Sequence, residues 1–379
     1  LLMQKGKAQG VFMDLFKNLY SVRHIDWAGG WLNYDKQPSA VEKAGFDPNH
    51  IALDALRLKI DSLLFCSPAI KLNILAVAFH EKCGLTVANA KGPFNMDSMG
   101  IALPDLRLKT PSSDILLAFK MDMNAFSTDL PADSTGAFSV NMHGSLGNQD
   151  LLTLASPYIP RYVRRVWPRV PIVVDGKAGG NLHRLHVNGL HLAMPGIMKV
   201  NADGFVANVT NLASLRADMT VNATASNLSF VTPLLPKSVT SNINIPRGIG
   251  LRGNVKLDGK RIATKFSASQ GGGSIGGTLA LDMKRMAYNA DIKARRLPIA
   301  HFLKHQPVHP FTGSITAHGS GTDFFAPTTN LRAAVDIKAL GYGKYNLDGI
   351  NLTASLNGGH LTANAECRNK ALKGKIGLD

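Results

Sequence analysis

The sequence predicts a mainly β protein, built as an antiparallel sheet with one apolar face and a few short capping helices. Three observations predict it. First, apolar and polar residues alternate. Leu215, Ala217, Met219, Val221 and Ala223 take every second place, and Arg216, Asp218, Thr220, Asn222 and Thr224 fill the gaps. The same two-step recurs at Phe138-Val140-Met142, Leu251-Gly253-Val255-Leu257, Met286-Tyr288-Ala290-Ile292-Ala294, Leu331-Ala333-Val335-Ile337-Ala339 and Leu361-Ala363-Ala365. A period of two sends successive side chains to opposite faces of a strand. Second, Asp203-Gly204, Asp258-Gly259 and Asn357-Gly358 lie between alternating runs, the strongest short-range hairpin signal. Third, Ile51-Ala52-Leu53-Asp54-Ala55-Leu56-Arg57-Leu58-Lys59 returns fifty positions later as Ile101-Ala102-Leu103-Pro104-Asp105-Leu106-Arg107-Leu108-Lys109, with seven of nine residues identical.

The elements follow in order. Residues 1–20 carry Val11, Leu15 and Leu19, with Phe12 and Phe16 beside them. That is helical spacing, so an N-terminal helical segment is expected. From Val22 onward strands are expected, with Gly29-Gly30 and Gln37-Pro38 as turns. In the repeat, apolar residues at 51, 53, 56 and 58 make the alternation slip once near 54–55. Such a slip reads as a β-bulge, which bends and twists a sheet. A repeat of this period marks stacked units sharing one continuous core.

Residues 148–170 break the strand rhythm, with a short helical stretch expected near 148–165. Asn148 or Asp150 is placed to cap a short helix carrying Leu151, Leu152 and Leu154, and Pro157, Pro160 and Pro168 then divide the segment. Residues 297–304 read as a second short helix, with Pro298 in its first turn. Both segments either plug sheet ends or form a lid over a groove. A soft boundary near 148 gives three regions: 1–20, 21–147 and 148–379.

The chain has 379 residues and a net charge of +16. Residues 1–150 hold 14 Lys/Arg against 15 Asp/Glu, while residues 151–379 hold 28 against 11. The basic excess of the second part suits a polyanionic partner. Nucleic-acid readers interleave aromatics with basic residues, and aromatics are only 7% here, so nucleic acid is not expected. Anionic lipid headgroups fit better. A merely soluble basic surface is the plainer alternative. The chain opens Leu1-Leu2-Met3-Gln4 and is expected to be an internal piece of a longer protein. Residues 69–79 are nearly apolar, but Lys71 and Asn73 break them and they are too few to span a bilayer.

No catalytic set emerges. Gly271-Gly272-Gly273-Ser274-Ile275-Gly276-Gly277 matches both G-x-S-x-G and G-x-G-x-x-G, but each motif needs a following helix. Thr278 to Asp282 continue instead as a strand, where glycine marks a kink or a close backbone approach. His183, His186 and His191 cluster, yet positions three apart on a strand face opposite ways. His301 and His305 have helical spacing without a third ligand. His80-Glu81-Lys82-Cys83 offers a base and a thiol on neighbouring residues that point apart. The cysteines Cys66, Cys83 and Cys367 lack metal-ligand spacing. An enzyme is not expected, nor a metal or cofactor.

The apolar face itself remains. It is rich in Ala and Gly, where a sandwich core uses bulky interdigitating residues. The sheet either closes tightly on itself or stays open as a trough covered by something else. An acyl chain is a good cover, since each buried CH₂ contributes about 0.8 kcal/mol. On that reading Phe138, Val140, Met142, Leu215, Met219, Val221, Leu279, Leu281, Val335 and Ile337 line the apolar groove.

A family resemblance enters at this point. The double Ile-Ala-Leu-x-x-Leu-Arg-Leu-Lys unit, Cys83-Gly84-Leu85-Thr86-Val87 and Leu108-Lys109-Thr110-Pro111-Ser112-Ser113 resemble the middle of TamB-type translocation and assembly proteins of the AsmA-like superfamily, especially long Bacteroidetes-type members. Leu192-Ala193-Met194-Pro195-Gly196, Gly272-Gly273-Ser274-Ile275 and residues 319–356 are similar too. The resemblance spans roughly residues 20–379 and lies in the order of degenerate motifs. It implies an elongated, twisted β-sheet curled into an open apolar groove. It implies a periplasmic body, an inner-membrane anchor outside this chain, and an outer-membrane barrel partner of TamA or BamA type. The implied activity is movement of phospholipid between membranes and support of outer-membrane assembly, with phospholipid acyl chains as ligand. It carries no catalytic residues. The rival expectations are a scaffold that adds partner β-segments to its edge strands, and a surface adhesin built as a β-solenoid.

Overall fold

The computed structural model describes residues 2–35, 45–47, 50–125, 127, 130–155, 159–209, 211, 213–235, 237–304, 306–321, 323, 326–369 and 373–378. The chain is mainly β and antiparallel, with few short helices. It divides into two compact units, residues 1–195 and 196–379.

The first unit holds β1 (Leu2–Asp14), β2 (Leu19–Asp35), β3 (His50–Cys66), β4 (Ala69–Glu81), β5 (Thr86–Met96), β6 (Gly100–Lys109), β7 (Asp114–Asp122), β8 (Phe138–Leu146), helices α1 (Asn148–Leu154) and α2 (Arg161–Val166), then β9 (Ile172–Gly180) and β10 (Arg184–Met194). Each strand pairs antiparallel with the next in sequence. Among the described residues no pairing joins β1 to β10, so this meander is open rather than a closed barrel.

The second unit holds β11 (Met198–Ala207), β12 (Arg216–Ala225), α3 (Lys237–Thr240), β13 (Ile249–Asp258), β14 (Arg261–Gln270), β15 (Gly273–Asp282), β16 (Ala287–Leu297), β17 (Phe311–Ser320), β18 (Asn330–Ala339), β19 (Gly341–Tyr342), β20 (Tyr345–Asn346), β21 (Ile350–Asn357), β22 (His360–Arg368) and β23 (Lys373–Leu378). The strands again pair in sequence, except that β19 and β20 form a separate ribbon and β18 pairs with β21. No described pairing links β11 to β23.

The repeat is a bulged strand used twice. In the first copy the β3–β4 register shifts between Asp54 and Arg57, and Ala55 takes φ +50°. In the second the β6–β7 register shifts between Leu103 and Leu106, the equivalent place. The extra residue returns Leu56 and Leu58 to the face that Leu53 occupies. On the far side of β6, Gly92 gives the chain room: a Cβ there would lie 2.1 Å from the Asp105 carbonyl oxygen.

Several expectations are corrected. Residues 2–35 form a hairpin, in place of the helix expected over 1–20. The spacing of Val11, Leu15 and Leu19 spans a turn, in which Asp14 Oδ1 accepts the N–H groups of Phe16 and Lys17 and Asn18 takes φ +48°. Gly29-Gly30 lies inside β2, where positive φ at both residues serves an irregular strand. Asp203-Gly204 is not a hairpin either. It pairs within β11 against Thr220 and Met219, and a Cβ on Gly204 would meet the Asp218 carbonyl at 2.1 Å. By contrast Gly259 and Gly358 do turn hairpins, at φ +57° and +58°. The expected turn at Gln37-Pro38, Pro157 and His305 lie outside the described residues.

Helix α1 begins from Gly147, with no side-chain cap from Asn148 or Asp150. Asp150 is instead buried, and its Oδ2 accepts the hydroxyls of Thr110, Ser112 at 2.6 Å and Ser113 at 2.5 Å. The second short helix is a 3-10 turn, Ile299–His301, with Pro298 before it. A further 3-10 turn, Ser229–Leu234, and α3 precede β13. The 3-10 turn at 299–301 and the strand-like segment around Ile243 bond to each other, through Asn244 N–H to Phe302 O and Lys304 N–H to Asn242 O. The boundary also moves, from near 148 to 195/196, because β8 and β9 pair along their whole length across the expected division.

Candidate functional site

Directly opposed residues of an antiparallel pair share a face, so the register converts alternation into surface rows. In the second unit one row runs Gly204, Met219, Val255, Thr264, Leu279, Ala290, Ala317, Ala333, Ala354, Ala363 and Leu378. Thr264 is its single hydroxylated member. The next row runs Ala202, Val221, Gly253, Phe266, Gly277, Ile292, Ile315, Val335, Leu352, Ala365 and Ile376, and it is apolar throughout. At about 4.8 Å between neighbouring strands, ten steps carry each row for about 48 Å. The flanking rows hold Leu257, Ile262, Leu281, Tyr288, Leu331 and Leu356 on one side, and Leu251, Ile275, Ile337 and Ile350 on the other.

The first unit repeats the arrangement. Phe138, Val140 and Met142 lie opposite Met121, Phe119 and Leu117 of β7, and opposite Gly180, Ala178 and Gly176 of β9. Met121 and Phe119 in turn face Ile101 and Leu103 of β6. The bulges described above keep this face in phase through β3 and β6.

Among the described residues the face has no second layer. The ten residues expected to line a groove are all half-buried, and none joins the buried apolar set. Nine of them sit on the apolar face of a strand. Leu215 lies one residue before β12, where its carbonyl accepts the Gly259 N–H. Val255, Ile315 and Leu352, which lie within these rows on three different strands, remain 39%, 37% and 38% exposed. A sandwich would bury all three. Neighbours on the same face shade these side chains, and among the described residues no other element covers them.

The opposite face is polar and carries the charge. Cross-strand pairs join Arg216 to Asp258 at 3.0 Å, Lys256 to Asp218 at 3.3 Å and Arg261 to Asp282 at 3.3 Å. An amide hydrogen bond from Asn254, aided by Lys256, holds the Asp218 carboxyl below its ordinary range. The backbone N–H of Arg285, aided by Lys284 and Arg261, does the same for Asp282. Lys260, Lys284 and Arg285 sit on turns at one end of the sheet. A depression of about 380 Å³ on this face lies over Ala263 and Ala280, between Lys256, Arg261 and Asn289. It is a dip between long side chains, and Leu257, Ile262, Leu281 and Tyr288 of the flanking apolar row also line it.

The remaining motifs have structural surroundings. The glycine run turns the β14–β15 hairpin at Gly271 and Gly272, with φ +54° and +80°, and β15 follows with no helix. A Cβ at Gly277 would lie 1.9 Å from the Asp291 carbonyl, so this glycine permits close strand approach. Glu81 is 2% exposed and ties a turn to its neighbouring strand: Oε2 accepts the Cys83 N–H at 2.7 Å and Oε1 the Ala52 N–H at 3.3 Å. Burial, together with the Glu81 carboxylate, pushes the Cys83 thiol up to about 11, which leaves it a poor nucleophile at neutral pH. His80 bonds Thr86 Oγ1 at 2.8 Å, and His301 bonds Gln270 Oε1 at 2.9 Å. Among the described residues no three His, Cys, Asp or Glu side chains gather to hold a metal, and no helix is long and apolar enough to cross a membrane.

Sequence reasoning missed Val255, Ile315, Ile292, Leu352 and Phe266 as members of the same rows. Their alternation is visible in the sequence, but the register that aligns them is not. No protein-family model, curated protein or solved structure matches the chain.

Proposed function

We propose that the apolar face holds phospholipid acyl chains, and that the chain is a periplasmic segment of a conduit moving lipid between inner and outer membranes. The carrying observation is the pair of long apolar rows in the second unit, interrupted at Thr264 alone, in which Val255, Ile315 and Leu352 stay more than a third exposed. Water against such a surface is unfavourable by about 25 cal/mol per Å². A lipid leaving a bilayer must keep nearly all of its apolar cover, at about 0.8 kcal/mol per methylene. A floor continuous over eleven strands provides that cover, whereas isolated pockets would not. The small residues Ala290, Ala317, Ala333, Ala354 and Ala363 leave depth along the middle row for a chain to lie in. The resemblance to TamB-type proteins points to the same ligand, to an inner-membrane anchor and to an outer-membrane barrel partner.

The test is extraction of the purified chain with organic solvent, followed by mass spectrometry. Stoichiometric phospholipid is the expected result, and a lipid-free preparation from membranes rich in phospholipid counts against the reading. A second reading, a scaffold that adds partner strands, is favoured by β23, whose residues are exposed throughout. A lipid-free chain that pairs with added β-peptides would support it instead.

A further inference from the structure

One corner of the second unit departs from its otherwise regular ladder. β11 through β16 pair without a register shift, as do β18, β21, β22 and β23. The β16–β17 pair shifts between Ala294 and Leu297, and the β17–β18 pair shifts between Thr312 and Gly313. Both shifts fall against the same end of β17. A bulge costs ladder hydrogen bonds, and it re-aims the side chains of the residues it displaces. Here the displaced residues include Arg295 on β16 and Lys338 on β18.

These two cations and Lys293 line one depression of about 490 Å³, together with the hydroxyls of Ser274, Thr312 and Ser314. No carboxylate lines it. Among the described residues none of the three cations makes an ion pair, whereas Arg216, Lys256 and Arg261 on the same face each do. Thr312 Oγ1 already accepts the Arg296 N–H at 2.9 Å, so its own proton is left to donate. The corner therefore offers three unpaired cations and hydroxyl donors around a space larger than a bare phosphate ion. That is the chemistry that recognises a phosphate group, with Arg295 able to bind two oxygens at once.

We propose that this corner binds a phosphate group, carried either by a free phosphate or by a lipid headgroup. Lys293 lies opposite Ser314, on the face away from Ile292 and Ile315. The site is thus independent of the acyl-chain rows, and either proposal can fail without the other.

The experiment uses the full chain and two triple variants. One removes Lys293, Arg295 and Lys338 (K293Q/R295Q/K338Q). The other removes the same charge from exposed positions elsewhere on that face (K199Q/R252Q/K265Q). Thermal unfolding without added anion checks that both fold. Calorimetric titration is then run with inorganic phosphate and with phosphatidylcholine vesicles containing phosphatidic acid. Affinity is expected to fall at least tenfold in the corner variant and less than threefold in the control. Corner-dependent binding to inorganic phosphate identifies a free phosphate site, and corner-dependent binding to vesicles alone identifies a headgroup site. Equal losses in the two variants, or no binding by the unaltered chain in either arm, overturn the proposal.

Discussion

Ile315 and Val335 lie directly opposite each other across β17 and β18, and Ile315 keeps 37% of its surface exposed. In a covered sheet this pair would be core, and a charge there would unfold the unit. On an uncovered floor the strands keep their ladder, and the new charge stays in contact with water. Ile315→Glu combined with Val335→Lys is therefore expected to cost about 1–2 kcal/mol, a fall in Tm of several degrees. Co-purifying lipid is expected to drop below a tenth of the unaltered level. Calorimetry and lipid mass spectrometry read the two effects separately, and a folded variant with undiminished lipid would refute the acyl-chain reading.

Asp150 anchors α1 to the turn between β6 and β7. Its Oδ2 takes three hydroxyls, and Ser113 Oγ in turn accepts the Gly147 N–H at 2.9 Å. Hydrogen bonds to a buried carboxylate contribute about 1.5–3 kcal/mol, and truncation also leaves the hydroxyls unsatisfied. Asp150→Ala is expected to destabilise the first unit by about 2–4 kcal/mol. Asp150→Asn retains an acceptor and should cost about half as much. Hydrogen exchange should localise the change to residues 110–113 and α1, and uniform protection there would contradict the assignment.

Acid should weaken the polar ladder in a defined window. The Arg107 guanidinium, joined by Lys109, holds Asp114 down from 3.8 to about 2. Arg368, joined by Lys375, lowers Glu366, and Asp218 and Asp282 are lowered as described above. A carboxyl lowered on folding stabilises the native state above its unfolded value and loses that contribution as pH falls through its folded value. Tm is therefore expected to be level from pH 7 to about pH 5 and to decline between about pH 4 and pH 2. All four carboxyls are at least partly exposed, Asp282 least, so high salt should flatten the decline. A fall that begins above pH 5 would point to other groups.

How much was legible in the sequence follows from what each signal encodes. Alternation along Leu215 to Thr224 reports which residues share a face of one strand, and the sheet obeys it. It does not report register, so the row from Met219 through Leu279 to Ala333 emerges only from the pairings. The slip at 54–55 was readable because an extra residue breaks the period of two. The slips beside Arg295 and Thr312 were not, since Arg295-Arg296 and Phe311-Thr312 already interrupt the alternation. Glycine dipeptides misled where the chain needs close approach rather than a turn, as at Gly204 beside the Asp218 carbonyl. The N-terminal hairpin was hidden because Leu15 and Phe16 occupy its turn, where polar residues and glycine are usual. Phe16 is fully exposed there, and an apolar turn mimics a helical period.

Cys83 and Cys66 should separate sharply in reactivity. Cys66 is exposed, while Cys83 is half-buried against Glu81, with its thiol pushed up from 9.0 to about 11. Only the thiolate reacts with iodoacetamide, so at pH 8 a rise of that size lowers the reactive fraction about a hundredfold. Peptide mass spectrometry of a labelling time course is expected to show Cys66 modified well before Cys83. Glu81→Gln removes the neighbouring charge and should speed labelling of Cys83. It should also loosen the turn, because the buried oxygens that hold the Cys83 and Ala52 N–H groups are replaced by an amide that offers one acceptor. Equal rates at the two thiols in the unaltered chain would mean that Cys83 is not shielded, and that Glu81 does not hold the turn closed in solution.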